Sequence, residues 1–337
     1  MIDFRSDTVT KPTADMLEAM SKAPVGDDVF DDDPTVNELQ EIAADMAGFD
    51  GALFTSSGTQ ANLLSIMSHC GRGDEYIAGN SAHNYRYEAG GAAVLGSIQP
   101  QPIVNAPDGS LPIEDIRAQI KIDDIHFAKT KLVSLENTIG GKVLPLDYQA
   151  QVRQLCDEKG LLLHLDGARV FNAVVKAGSS LRDISQHYHS MTICLSKGLG
   201  APIGSLVLGD NEFIKRVKRL RKMVGGGMRQ VGLLAAAGRI ALEQGPAQLQ
   251  NDHDNAQRLA KGLQTIEQLN VLTERLQTNI LYVECRLGKQ KELAAFAKTK
   301  GINMLAGSPI RFVTHRDVSA GDVDTLVSVC QEFYSKY

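Results

Sequence analysis

The chain has few cysteines and lacks several common signatures. Its five cysteines (Cys70, Cys156, Cys194, Cys285 and Cys330) are scattered, odd in number, and include no CxxC pair. Such spacing supports neither a zinc site nor a disulfide framework, and it suits a reducing, cytoplasmic compartment. Cys194 lies in an apolar run and reads as a small buried hydrophobe. No apolar run approaches the roughly 18 residues of a membrane span. The opening Met1-Ile2-Asp3-Phe4-Arg5 lacks the basic and apolar regions of a signal peptide. A net charge of −5 leaves no electrostatic footprint for nucleic acid or an anionic membrane. Neither GxGxxG after a strand nor GxxxxGK[ST] occurs, so nucleotide cradles are poorly supported. Repeats, low-complexity tracts and flexible linkers are missing too. The acidic stretch Gly26-Asp27-Asp28-Val29-Phe30-Asp31-Asp32-Asp33 lacks the alternating oxygen ligands and closing glutamate of a calcium loop. It reads as a solvated loop leading into a capped helix, and no metal is expected.

What remains has the composition of an ordinary globular protein, 43% hydrophobic and 22% charged over 337 residues. That length favours two domains. Short apolar runs alternate with amphipathic helices, which predicts an α/β fold with a mostly parallel sheet flanked by helices. Asp33 and Pro34 read as N-cap and first residue of a helix running to Ala47 before Gly48. Strands are expected at Gly51–Thr55 and around Glu75–Gly79, Leu132–Glu136, Leu161–Asp166, Met191–Leu195 and Ser205–Leu208. From about Asn251 the texture changes to a long polar helix, a strand at 279–284, a helix from Lys289, short strands and a closing helix. The expectation is therefore a large domain over 1–250 and a small α+β domain over 251–337.

The most informative stretch is Leu161-Leu162-Leu163-His164-Leu165, a strand buried on both faces that ends in Asp166-Gly167-Ala168-Arg169. A carboxylate closing such a strand sits at the edge where α/β proteins bind ligands, and it needs a partner. Next, Met191-Thr192-Ile193-Cys194-Leu195 delivers Ser196-Lys197-Gly198-Leu199-Gly200. Desolvation of a buried ammonium makes the neutral, nucleophilic amine available near neutral pH. A lysine beside an acid suggests pyridoxal 5′-phosphate: the amine forms a Schiff base, and the carboxylate pairs with the ring nitrogen. Ser56-Ser57-Gly58-Thr59 lies between a strand and a helix, where free N–H groups and the helix dipole attract a phosphate; read alone, it is a helix cap. Ser196, Lys222 and Arg229 of Arg221-Lys222 and Gly225-Gly226-Gly227-Met228-Arg229 are candidates to complete that phosphate site. His83 follows a strand and is placed to stack on a pyridine ring. Arg169 and Arg311 suit bidentate capture of a substrate carboxylate, although either also suits a structural ion pair. His126 and Glu136 are further candidates near strand ends.

With these residues assembled, the chain resembles the low-specificity L-threonine aldolases among the fold-type I pyridoxal-phosphate enzymes. The resemblance runs nearly end to end: Phe4-Arg5-Ser6-Asp7-Thr8-Val9-Thr10, Val25-Gly26-Asp27-Asp28-Val29, Ser57-Gly58-Thr59-Gln60-Ala61-Asn62, Ala82-His83-Asn84-Tyr85 and Glu88-Ala89-Gly90-Gly91. It continues through Ser134-Leu135-Glu136-Asn137-Thr138, Leu165-Asp166-Gly167-Ala168-Arg169, Leu195-Ser196-Lys197-Gly198-Leu199-Gly200, Lys222-Met223 and Gly225-Gly226-Gly227-Met228-Arg229-Gln230. It implies Lys197 as Schiff-base lysine, Asp166 as ring-nitrogen partner, His83 as stacking residue, and Gly58 and Thr59 at the phosphate. Ser6, Arg169 and Arg311, with Tyr87, are implied around the amino-acid substrate, and His126 near its β-hydroxyl. Two departures stand out: Ile139-Gly140 follow Glu136-Asn137-Thr138 where relatives carry His-Asn, and Asp31 stands where glycine is usual.

The expected reaction is retro-aldol cleavage of L-threonine, L-allo-threonine and related β-hydroxy amino acids to glycine and an aldehyde, with His83, His126 or a water as base. The rivals are a β-eliminating lyase or aminotransferase on the same scaffold, and a cofactor-binding regulator without turnover. The resemblance also implies active sites at a homodimer interface within a homotetramer.

Overall fold

The computed structural model describes residues 1–336. Its strands in chain order are β1 (Ile2–Asp3), β2 (Gly51–Thr55), β3 (Asp74–Gly79), β4 (Gln99–Ile103), β5 (Lys129–Glu136) and β6 (Leu162–Asp166). They continue with β7 (Ser190–Cys194), β8 (Ser205–Gly209), β9 (Leu269–Val271), β10 (Ile280–Cys285), β11 (Ile302–Asn303) and β12 (Ile310–Val313). Seven form one sheet in the order β2-β8-β7-β6-β5-β3-β4. β8 is antiparallel to both its neighbours, whereas every other pairing is parallel, so β8 alone runs against the rest. β7 and β8 are buried along their whole length, as expected for central strands covered by helices on both faces. The α/β expectation is met.

Local chemistry explains the boundaries. Asp33 accepts from the N–H groups of Thr35 and Val36 at 3.1 Å, Pro34 opens the helix, and Gly48 closes it with φ of 71°. β4, Gln-Pro-Gln-Pro-Ile, escapes the sequence reading because its two prolines argue against a strand. It sits at the sheet edge, where a missing N–H costs little.

The long helix differs most from expectation. It does not start near Asn251 but runs from Gly232 to Leu263, through Pro246. Ala235, Ala237, Ile240, Ala241, Leu242 and Leu249 pack in the large core under the seven-stranded sheet. Further along the same helix, Ala256, Leu259, Ala260 and Leu263 pack in a second core with the sheet β12-β10-β9 and the closing helix Ala320–Tyr334. The two cores thus meet within one continuous helix. The second also takes Phe4, because β1 pairs in parallel with β11. Residues 2–4 therefore pack with the C-terminal unit rather than with the rest of 1–250.

Candidate active site

The parallel strands share a direction, so β2, β3, β5, β6 and β7 present their carboxyl ends at one edge. This is the edge at which α/β sheets bind ligands. The five exits deliver Ser57-Gly58-Thr59, His83, Glu136, Asp166 and Lys197.

At the end of β2, Ser57 caps the helix Gly58–His69 by accepting from the Gln60 N–H at 3.2 Å. Helical geometry leaves the N–H groups of Gly58 and Thr59 without an intrahelical acceptor, a ready anion site. The Gln60 side chain turns back to accept from Ser56 N–H at 3.0 Å, and a Cβ on Gly226 would collide with that side chain. The glycine turn 225–227 is therefore brought against the start of this helix. Lys222 is exposed at the turn, with Nζ beside Gly227. Arg229 is also exposed, and its guanidinium sits 2.7 Å from the Asp27 carboxylate. Arg221, by contrast, is buried: it donates to the Phe54 carbonyl and to Asp28, both at 2.6 Å.

Asp166 is buried at the end of β6, where Asn62 Nδ2 donates to Oδ2 at 2.7 Å and the Ala168 N–H donates to Oδ1 at 3.0 Å. The desolvation expected of that strand-closing carboxylate is offset by these two bonds. Lys197 follows neighbouring β7; Thr10 donates to its carbonyl at 3.2 Å, and its half-buried ammonium acts electrostatically on Asp7, His83 and Glu136. Ser196 is half-buried beside it, its Oγ 3.6 Å from Cys194 Sγ. Glu136 lies in register with Asp166 across β5 and β6 and accepts from the His83 backbone N–H at 2.7 Å. Burial and the neighbouring Asp166 charge push the Glu136 carboxyl up to about 7.

His83 Nδ1 lies 2.7 Å from Glu88 Oε1, and the exposed Tyr87 ring is 5.8 Å from the imidazole. The ligand atoms of His83, Glu88 and Asp166 lie within 4.8 Å of one another. Asn62 Nδ2 already joins the two carboxylates, donating to Glu88 Oε1 at 2.8 Å as well as to Asp166. One amide thus bridges the two carboxylates of this cluster.

On the substrate side, sequence reading missed Asp7. It is fully buried and grips Arg169 through both oxygens, at 2.7 Å from Nε and 2.6 Å from Nη2. Arg169 and the nearby Lys197 and Arg311 hold the Asp7 carboxyl far below the usual range despite its burial. A guanidinium carries five N–H donors, so this grip leaves three for a ligand. Arg311 lies on β12 opposite Tyr282, donates to the Arg5 carbonyl at 3.3 Å, and is pushed down by burial and by the like charge of Arg169. Ser6 caps the turn that holds Asp7, accepting from the Thr8 N–H at 3.3 Å. Only the Phe4-Arg5-Ser6-Asp7 resemblance pointed here; a single Asp in a loop carries no periodic signal.

His126 is the remaining candidate from the sequence. Its imidazole is exposed on the loop before β5 and lies 2.6 Å from Asp124, two residues away. The acidic stretch is not a solvated loop either. Asp28 and Asp33 are buried, Asp27 and Asp28 pair with Arg229 and Arg221, and Asp31 pairs with Lys218. Asp31 occupies the left-handed region with φ of 63°, which explains why glycine suits that position. Ile139 and Lys142 exchange both backbone hydrogen bonds at 3.0 Å across Gly140-Gly141, whose φ values of 56° and 86° make a tight hairpin turn.

A family model described as beta-eliminating lyase matches residues 3–286. Among curated relatives, the low specificity L-threonine aldolase of Escherichia coli (strain K12) is 55% identical over 319 residues, covering 95% of each chain. The probable low-specificity L-threonine aldolase 2 of Arabidopsis thaliana is 42% identical, covering 99% of this chain and 97% of its own. Of solved structures, a Leishmania major threonine aldolase superposes with a TM-score of 0.84 at 20% identity, covering 99% of this chain and 100% of that one, a likeness of fold. The chain belongs to the beta-eliminating lyase family and, within it, to the low-specificity L-threonine aldolases. It is a carbon–carbon lyase by that membership.

Proposed function

We propose that this chain binds pyridoxal 5′-phosphate through Lys197 and cleaves L-threonine and L-allo-threonine to glycine and acetaldehyde. The observation that carries the reading is the buried Asp166 on β6 with Lys197 leaving the adjacent parallel strand β7. The donor set fits the cofactor: an amine for its aldehyde, a carboxylate for its ring nitrogen, an imidazole for its ring face and a helix N-terminus for its phosphate. When bound, the cofactor supplies the electron sink that makes cleavage of the Cα–Cβ bond accessible.

The residues of the chain do the rest. Gly58, Thr59 and Ser57 anchor the phosphate end, with Ser196, Lys222 and Arg229 adding donors and positive charge at its rim. Asp166 is kept as an oriented acceptor by Asn62 and Ala168. Arg169 spends two N–H groups on Asp7, which fixes its plane, and offers the others to the substrate carboxylate together with Arg311 and Ser6. Clamping the carboxylate would hold the substrate in one orientation and so select which substituent bond on Cα is broken. Tyr87 borders the side-chain end. His83 takes the β-hydroxyl proton as the Cα–Cβ bond breaks; acetaldehyde leaves, and a proton added at Cα completes glycine. L-threonine therefore gives glycine plus acetaldehyde with no atom gained or lost.

The assembly is a homotetramer in the cytoplasm. Exposed Tyr87 and Phe30 beside His83 and Arg229 support a partner covering the site mouth, and the five free cysteines support a reducing compartment. The test is a product assay: L-threonine yields glycine and acetaldehyde in equal amounts. Pyruvate, 2-oxobutanoate or transferred nitrogen without glycine would instead identify an eliminating lyase or aminotransferase.

A further inference from the structure

Four side chains from separate parts of the chain form one hydrogen-bonded line: Asp166, Asn62, Glu88 and His83. Asn62 Nδ2 donates to Asp166 Oδ2 at 2.7 Å and to Glu88 Oε1 at 2.8 Å, and Glu88 Oε1 lies 2.7 Å from His83 Nδ1. Thr192 Oγ1, on β7, donates to Asn62 Oδ1 at 3.4 Å, which fixes which way the amide points. Glu88 is buried, whereas the imidazole it meets is partly open to the site. A carboxylate buried within such a line has little to do for stability alone, since burying it carries a desolvation cost.

We infer that Glu88 is a positioning residue that holds His83 by Nδ1, fixes its Nδ1–H tautomer, and ties its proton to the Asp166 carboxylate through Asn62. The inference rests on the proposed role of His83 at the site. An ionised carboxylate is an acceptor only, so the ring nitrogen facing it carries the hydrogen and Nε2 keeps its lone pair. A histidine oriented this way by a buried acid is held in one tautomer and one plane, as second-shell partners do for other functional imidazoles. Charge in the vicinity agrees. The bond to Glu88 raises the His83 imidazole, Asp166 adds to that, and Lys197 opposes it; Glu136 takes the His83 backbone N–H. Burial raises the Glu88 carboxyl, and the hydrogen bonds from His83 and Asn62 work against that shift.

The test needs neither cofactor nor turnover. Ring-nitrogen NMR of the apoprotein, with His83 assigned by the signal lost in His83→Gln, reads both tautomer and titration. The wild type should show the Nδ1–H form above its titration. Glu88→Gln keeps an acceptor oxygen, so it should preserve that tautomer while lowering the His83 pKa by about one unit. Glu88→Leu should lose both features and revert to the Nε2–H form. An identical tautomer and titration in all three proteins would overturn the inference. In the loaded enzyme, Glu88→Gln should shift the acid limb of kcat/KM to lower pH by the same amount. Should the apoprotein signals move while this limb stays, Glu88 still positions His83, and the base role proposed for His83 is what fails.

Discussion

Asp7 and Arg169 are separated by 162 positions in the chain, yet their side chains form a two-bond fork inside the site, at 2.6 and 2.7 Å. Removing one member of a buried pair strands the other, at a cost of about 3–5 kcal/mol. Asp7→Ala should therefore lower stability by about that amount in urea unfolding. Arg169→Lys keeps the charge but loses the fork, and it should raise KM for threonine roughly 10- to 100-fold. An unchanged KM would remove Arg169 from the substrate clamp.

Buried histidines give the fold one pH dependence. Burial pushes His164 down to about 4, and His69 is likewise pushed well down by burial. Each stays neutral in the folded chain while the unfolded chain binds a proton below about 6.5. The His164 contribution is complete above that pH and is lost as pH falls towards 4, at about 1.4 kcal/mol per unit, and that of His69 is lost in the same direction. Relative to His164→Gln, the wild type should gain stability between about pH 4 and 6.5 and then level off.

Asp252 works in the opposite direction. It is buried in the long helix with Oδ2 unpartnered, and burial, with the nearby Asp7 charge, pushes it up to about 8. Its stabilising contribution is present at low pH and is lost as pH rises towards 8. Asp252→Asn should become progressively more stable than the wild type between about pH 4 and 8, with a plateau beyond. Thermal melts at four or five pH values would read the slope. A pH-independent difference would show that Asp252 is ionised throughout.

Asp31 offers a backbone test. With φ of 63°, glycine costs nothing there sterically, but replacement also loses the Lys218 partner. Asp31→Gly should lie within about 0.5 kcal/mol of the wild type, because an exposed ion pair is worth little. Asp31→Val should cost about 1–2 kcal/mol, because a β-branched residue fits the left-handed region poorly. Equal stability of the two variants would dismiss the backbone as the reason for glycine in relatives.

These tests divide along what was legible in the chain. Apolar runs marked β6 and β7, and the Asp33-Pro34 cap marked a helix, because each is written in consecutive residues. The strand ends then carried Asp166 and Lys197 to one edge without further information. Pro246 concealed the true start of the long helix, and Pro100 and Pro102 concealed an edge strand. Asp7 and Glu88 stayed hidden for another reason. Their chemistry arises from partners brought in by the tertiary fold, and nothing in Ser6-Asp7-Thr8 or Tyr87-Glu88-Ala89 signals burial. His126 marks the converse: a motif resemblance suggested a site residue, and the fold of a single chain leaves it exposed beside Asp124.

The most direct measurement is borohydride reduction of the purified enzyme loaded with pyridoxal phosphate, followed by peptide mapping. The account predicts a single label on Lys197, absent from Lys197→Ala together with glycine formation from threonine. A label on any other side chain, or glycine production that survives in Lys197→Ala, would contradict it.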